Sequence, residues 1–400
     1  MTKQKTYNSH MAASNDLLCF SHLRWDFVFQ RPQHLMTRFA KTRRVFFIEE
    51  PVAGKKPVIN VRVCEHSGVH VAVPALPPNL GSHADQILEQ LIRDMMSQYS
   101  VRNFVAWYYT PMALTFTSTL KPVATVYDCM DELSLFRGAP PELIRNEKAL
   151  MSRSDLVFTG GYSLFEAKCE HHDRVYAFPS SVDIPHFAQA RRIENDVLDQ
   201  AHIGHPRVGY AGVIDERMDL DLLQQLADIC PEWNFVMLGP VVKIDPRSLP
   251  ERVNIHYLGL KRYDDLPKYF AGWDVAMLPF ALNESTRFIS PTKTPEYLAA
   301  GLPVVSTPVR DVVRTYGDIG LVRVGSTPEE FSDAIAHALN KGMSMKWRER
   351  ADSFIGALSW EKTWSAMNNL IEEVIEGRKA RVPSRLPIGA AANLGEAARV

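Results

Sequence analysis

Two carboxylates stand close together in the segment VYDCMDELSLF, Asp128 and Asp131, directly after the apolar run Val123 to Tyr127. A carboxylate just past the carboxyl end of a strand is fixed by the strand and exposed by the loop, which suits a general base. Asp131 is the candidate for accepting the proton of an attacking hydroxyl, with Asp128 as its neighbour or replacement. Burial would raise the pKa of such a base toward working pH. An ordinary loop explains the same residues, with Asp131 capping a following helix and Asp128 satisfying loop amides. The pair lacks the further His, Asp or Glu ligands of a closed metal site, so no metal is expected.

A second set lies in SPTKTPEYLAAGLPVVSTP, from Ser290 to Pro308. Ser290 and Thr292 open a loop, a short helix carries Lys293 and Glu296, Gly301 ends it, and a β-branched strand follows. The unpaired N–H groups and partial positive charge of a helix N-terminus can hold a phosphate, with Lys293 one turn in as an added cation. Glu296 shares a face with Lys293. That face offers cationic and anionic contacts together, as the diphosphate and ribose hydroxyls of a sugar nucleotide require. A plain helix-and-strand unit, with Pro near its first turn and glycine at its end, fits as well.

Three further segments carry candidates. RVGYAGVIDER brings Gly209, Gly212 and Arg217 to a strand end. There glycine lets the backbone approach a phosphate, and a guanidinium can grip two of its oxygens; a surface ion pair is the alternative for Arg217. Asp219 and Asp221 imitate a metal-holding DxD motif, but they open an amphipathic helix, where capping and the macrodipole explain them. FSHLRWDFVFQRPQHLMTRFAKTRR sets His22, Arg24 and Trp25 after the first strand, a combination suited to a hydroxylated or anionic ligand. Beyond it, Leu35, Met36 and Phe39 lie among Arg31, Arg38, Lys41, Arg43 and Arg44. That pattern allows contact with anionic lipid, although the apolar side is expected to face the core. Neither GxGxxG nor GxxxxGK[ST] occurs, which removes support for NAD binding and ATP hydrolysis.

Positioning these residues requires a scaffold, and the pattern supplies one. Short apolar runs alternate with amphipathic stretches from end to end, as in parallel sheets wrapped by helices. The first series of strands runs from Asp16 to Ala177 and the second from Arg207 to Val324, with a connector at Pro179 to Gly204. The expected fold is α/β, with two doubly wound Rossmann-like domains facing across a cleft. Strand ends, and therefore ligands, meet in that cleft. The divisions are 1–185, 186–358, a helix at 359–379 and a poorly ordered tail at 380–400.

Composition narrows the class further. At 400 residues the chain exceeds one ordinary core. A net charge of −1 gives no field that would make nucleic acid the main partner. The five cysteines form no CxxC pair and read as reduced and buried. No signal peptide or membrane span is evident, so the expected location is the cytoplasm, with peripheral contact at the inner membrane face as an option.

With these pieces together, the chain resembles the GT-B glycosyltransferases that use nucleotide sugars, especially bacterial enzymes of exopolysaccharide, teichuronic acid and O-antigen assembly. SHLRWDFVFQRPQHL, VYDCMDE, RSDLVFTGGYSLFEAK, GYAGVIDERMDLDLL, MLGPV and DVAMLPF followed by SPTKTPEYLAAGLPVVSTP carry the resemblance, in that order. It implies a C-terminal lobe that binds the donor, with Arg217 and Lys293 on the diphosphate, Glu296 on the ribose, and Gly239 and the loop after Tyr257 near the base. Gly212, Ser290 and Thr292 complete the donor set. The N-terminal lobe would bind the acceptor through His22, Arg24 and Trp25, and a helix from Trp360 would cross back onto it.

Two positions depart from the pattern: Phe288 stands where a second glutamate pairs with Glu296, and SSVD replaces NGVD in the connector. The expected activity is metal-independent transfer of a sugar from a UDP-sugar or similar donor to a glycan or lipid-linked acceptor, with no cofactor. A nucleotide-sugar isomerase on the same scaffold and a non-catalytic donor-binding subunit are the alternatives.

Overall fold

The structure, a computed structural model, describes residues 15–381 apart from 193, 195, 342 and 343. The tail expected to be poorly ordered lies outside the described residues from 382 onward. Alternating apolar runs and helices produce two sheets. The first contains β1 (Asp16–Ser21), β2 (Val45–Glu49), β3 (Val52–Ala53), β4 (Val58–Val63), β5 (His70–Leu76), β6 (Phe104–Tyr108), β7 (Ala124–Cys129), β8 (Leu156–Thr159) and β9 (Val175–Ala177). Their order is β3-β5-β2-β1-β6-β7-β8-β9, with β4 antiparallel on β5. The second contains β10 (Arg207–Ala211), β11 (Asn234–Leu238), β12 (Ile255–Gly259), β13 (Val275–Leu278), β14 (Val304–Ser306) and β15 (Arg323–Val324), in the order β12-β11-β10-β13-β14-β15. The expected α/β architecture of two doubly wound lobes holds.

Both central strands are apolar between their ends because helices cover both faces of each sheet. Leu17, Leu18, Cys19 and Phe20 of β1 are all buried, and Val208, Tyr210 and Ala211 of β10 likewise. In each sheet the strand order reverses beside the central strand, β1 or β10, so loops leaving the carboxyl ends splay apart and open a crevice there. His22 follows β1, Asp131 follows β7, Gly212 to Arg217 follow β10, and Gly239 to Lys243 follow β11.

Several expectations change in detail. β7 runs through Asp128 and Cys129, which pair with Phe158 and Thr159 of β8, so Asp128 lies within the strand and not beyond it. β3 and β4 were not expected, since β4 is an exposed antiparallel strand without a clean apolar run. Cys169 is exposed and Cys64 half-buried, whereas Cys19, Cys129 and Cys230 are buried; all five are free thiols.

The last helix, Trp360–Arg381, lays Trp360, Met367, Ile371 and Val374 into the core of the first lobe, beside Leu35, Met36 and Phe39. Those three residues thus face protein and not lipid. Arg43 bonds Glu372 at 2.6 Å and Asn368 at 2.8 Å, and Arg44 pairs with Asp16. Among the described residues, no helix is long and apolar enough to cross a membrane.

The lobes touch along the cleft. The Asp311 carboxylate accepts from the Ser163 N–H at 3.0 Å and its hydroxyl at 2.5 Å, which places a buried anion from the second lobe at a helix N-terminus of the first. Phe288 packs against the core of the first lobe. The connector pairs at Val182 with Ser359, where the chain leaves the second lobe.

Candidate active site

The two aspartates of the opening motif have separate fates. Asp128 has no exposed surface, and the Arg31 guanidinium grips both its oxygens, with Nη2 to Oδ1 at 2.8 Å and Nε to Oδ2 at 3.1 Å. A remaining N–H of Arg31 goes to the Phe178 carbonyl at 2.7 Å. This pair sits in the core, so Asp128 cannot meet a substrate hydroxyl and does not replace Asp131. Asp131 is half-buried in the following loop, and its side chain caps no helix. Burial raises its pKa above the ordinary carboxylate value, with Asp215 adding to the rise; Arg217, Arg31 and Lys243 oppose it. Two of those three cations belong to the other lobe, so Asp131 faces the cleft.

Opposite it, Arg217 is held by Asp215, with Nε to Oδ1 at 2.9 Å and Nη2 to Oδ2 at 2.7 Å. Burial works against its charge, but these bonds and Asp131 keep it firmly protonated. Nη1 makes no hydrogen bond among the described residues. The guanidinium rests 5.4 Å from the centroid of Phe136, in the loop after Asp131.

The helix Lys293–Ala300 starts at Lys293 itself, so the lysine is its first residue and not one turn in. Its ammonium bonds Glu296 at 2.6 Å. Burial raises the Glu296 pKa, while Lys293 and then His186 pull it down. Gly301 closes the helix at φ 82°, the left-handed conformation glycine tolerates. Gly239 has φ 139°, and a Cβ there would lie 1.8 Å from the Gly212 carbonyl oxygen, so two loops of bare backbone run together past the carboxyl ends of β10 and β11. Ser290 lies where a Cβ on Gly161 of the first lobe would meet it at 2.7 Å. Thr292 precedes the helix without a side-chain capping bond.

A cavity of about 960 Å³ opens between the lobes. Gly212, Gly239, Leu260 and Lys293 line one side, and Trp25, Phe29, His34 and Arg38 the other. An aromatic ladder closes one wall across the lobes: Trp360 stacks on His34 at 4.5 Å, Phe29 meets Tyr263 at 4.6 Å, and Tyr263 stacks on His186 at 4.4 Å. The Tyr263 hydroxyl is buried without a hydrogen-bond partner among the described residues.

Of the acceptor-side candidates, Trp25 lines the cavity while its ring packs on Phe47. Arg24 is tied to Glu49 at 3.0 Å and to the Glu50 carbonyl at 2.5 Å. Burial and then Lys243 push the His22 imidazole down to about 4, against a smaller opposing effect of the Tyr109 carbonyl, so His22 is neutral at ordinary pH. Asp219 caps the helix Leu220–Ile229 by accepting from the Leu222 N–H at 2.8 Å, as the capping explanation required. Among the described residues, no group of three His, Cys, Asp or Glu side chains is arranged to hold a metal ion.

The sequence did not point to Asp215, Phe136, Lys243 or Tyr263. Asp215 had a signal, since a carboxylate two residues before an arginine in a strand-end loop can hold its guanidinium; the others matter only through contacts between lobes.

Residues 205–341 match the family model for group 1 glycosyl transferases. The C-terminal lobe is thus similar to group 1 glycosyl transferase domains. The matched stretch contains Gly212, Arg217, Gly239, Ser290, Thr292, Lys293 and Glu296. The chain is also 23% identical over 220 residues to TuaH of Bacillus subtilis (strain 168), named for teichuronic acid biosynthesis glycosyltransferase activity. That match spans 50% of this chain and 54% of the relative, about half of each.

Solved structures extend the likeness beyond the group 1 domain. Sucrose-phosphate synthase from Thermosynechococcus elongatus superposes with a TM-score of 0.68 at 14% identity, over 91% of this chain and 100% of that one. An E. coli trehalose-6-phosphate structure bound with UDP-2-fluoro glucose gives 0.65 at 12% identity, over 90% and 99%. Anabaena Alr3699/HepE in complex with UDP and glucose gives 0.63 at 12% identity, over 89% and 99%. The whole chain has the GT-B fold.

Proposed function

We propose that the protein transfers a sugar from a nucleotide-sugar donor, a UDP-sugar in the first instance, to a glycan or lipid-linked acceptor in the assembly of a cell-surface polysaccharide. The observation that carries this reading is the seating of Arg217, from the stretch that matches group 1 glycosyl transferases, on Phe136 of the Asp131 loop at 5.4 Å across the cleft. The nucleotide lies in the interlobe cavity, over the bare backbone at Gly212 and Gly239, with its ribose at Glu296. Arg217 and Lys293 take the diphosphate, and a bound phosphate competes with Glu296 for the Lys293 ammonium. Asp131 accepts the proton of the acceptor hydroxyl as oxygen attacks the anomeric carbon and the diphosphate departs. Cations already in place stabilise the charge that develops on the leaving group, and lobe closure excludes water.

The UDP in the E. coli and Anabaena structures supports the choice of nucleotide. The name of the B. subtilis relative supports the polysaccharide context. The test is thermal stabilisation by a panel of nucleotide sugars, then release of UDP from the best donor with and without lipid-linked acceptors. Acceptor-dependent release that persists in EDTA is expected. Conversion of the donor without acceptor would make the protein an isomerase, and stabilisation without turnover would make it a donor-binding subunit.

A further inference from the structure

Lys243, in the loop after β11, has so far appeared only through its charge at Asp131 and His22. Its backbone is left-handed, with φ 61°, a conformation that costs a residue with a side chain roughly 1 kcal/mol or more. It has no carboxylate partner among the described residues. The nearby Asp245 is taken by Arg247, with Nε to Oδ1 at 3.1 Å and Nη2 to Oδ2 at 2.5 Å. Instead the Lys243 ammonium lies 4.9 Å from the ring centroid of Phe136, the ring that also carries Arg217. Phe136 belongs to the turn that Asp131 begins: the Leu133 N–H donates to the Asp131 carbonyl at 3.1 Å, and the Phe136 N–H to the Leu133 carbonyl at 3.4 Å. One ring of the N-terminal lobe thus seats two cations of the C-terminal lobe against the loop that presents the base.

We propose that Lys243 is a positioning residue for the reaction at Asp131, brought onto Phe136 by lobe closure so that it supplies positive charge to the base and to His22 while bonding neither. The role at Asp131 rests on the functional reading above; the placement beside His22 does not. The groups facing Asp131 are Arg217 and Asp215 from the loop after β10, Arg31 from the helix Arg31–Phe39, and Lys243. Those facing His22 are Lys243 and the Tyr109 carbonyl. A nearby cation favours the carboxylate over the acid and the neutral imidazole over the charged one. The base is then best ionised when the lobes meet, which is also when the donor is enclosed.

The test follows the imidazole of His22, assigned by comparison with His22→Gln, by NMR in the full chain between pH 7.5 and 4.5 without substrate. In the wild type His22 stays largely neutral across this range, with its midpoint at about 4. In Lys243→Met its midpoint rises by roughly 0.5 to 1 unit, in Phe136→Leu by less, and Lys243→Arg restores the wild-type titration. Where turnover is measurable, Lys243→Met moves the acid limb of kcat/KM upward and leaves UDP affinity unchanged. A His22 titration unaltered in Lys243→Met would overturn the proposal. So would a loss of UDP affinity as large as the loss of rate, since that would make Lys243 a donor ligand. Failure of the wild type to release UDP would count against the transferase reading, and the His22 titration would still decide the placement of Lys243.

Discussion

Each lobe carries an arginine that grips both oxygens of an aspartate in or just after a strand of its sheet, and the two pairs differ in what they leave over. Arg31 is 1% exposed, Asp128 is 0% exposed, and a further N–H of the arginine is spent on a carbonyl. Asp215 is 4% exposed but Arg217 is 25% exposed, with Nη1 unbonded among the described residues and its face on the opposite lobe. The same chemistry therefore serves as framework in one place and, in the proposed function, as ligand contact in the other. What separates them is whether the guanidinium keeps a donor and an open side after its aspartate is satisfied. An arginine held by a buried carboxylate is also pre-aimed, so little side-chain entropy remains to be lost on binding.

The contrast is open to breaking. Arg31→Met leaves a buried, unpaired carboxylate and should lower unfolding free energy in urea by about 3–5 kcal/mol. Arg217→Met should cost less than half as much stability. His22 sharpens the picture, because it sits between the two lobes. Its imidazole titrates near 6.5 in the unfolded chain and about 4 in the folded one. Between those values the unfolded state binds the extra proton, so stability should fall as pH drops through this window, by up to about 3 kcal/mol. His22→Gln should flatten that part of the pH dependence in thermal melts.

Next in size, Arg217→Met should weaken UDP binding by roughly 10- to 100-fold in calorimetry, as expected for a lost charged hydrogen bond. Arg31→Met, assayed where it is folded, should leave UDP affinity unchanged. The smallest effect is expected at Asp219, a carboxylate of the C-terminal lobe that works only as a cap. Asp219→Ala should cost about 1 kcal/mol of stability and alter neither UDP affinity nor its response to EDTA.

The lobes were legible because their strands are buried on both faces and read as unbroken apolar runs; Phe104 to Tyr108 and Leu156 to Thr159 begin and end where expected. β4 was not, because an exposed strand at the sheet margin needs no apolar run. The candidate loops were legible for a similar reason, since strand ends announce where side chains can reach a cleft. The division of labour between Asp128 and Asp131 was not. It depends on Arg31, 97 residues away in sequence, arriving beneath β7. Nor could Phe136 and Lys243 be paired in advance, since they lie in different lobes and meet only when those lobes face each other. Phe288, flagged as a departure from the glutamate pattern, turned out to pack against the other lobe's core.

The most direct test of the base assignment is acceptor-dependent UDP release by Asp131→Asn, with UDP affinity measured on the same preparation. The substitution keeps the shape of the side chain and removes its ability to take a proton. Release should fall at least about a hundredfold while UDP binding is retained; turnover near the wild-type rate would contradict the assignment of Asp131 as the base.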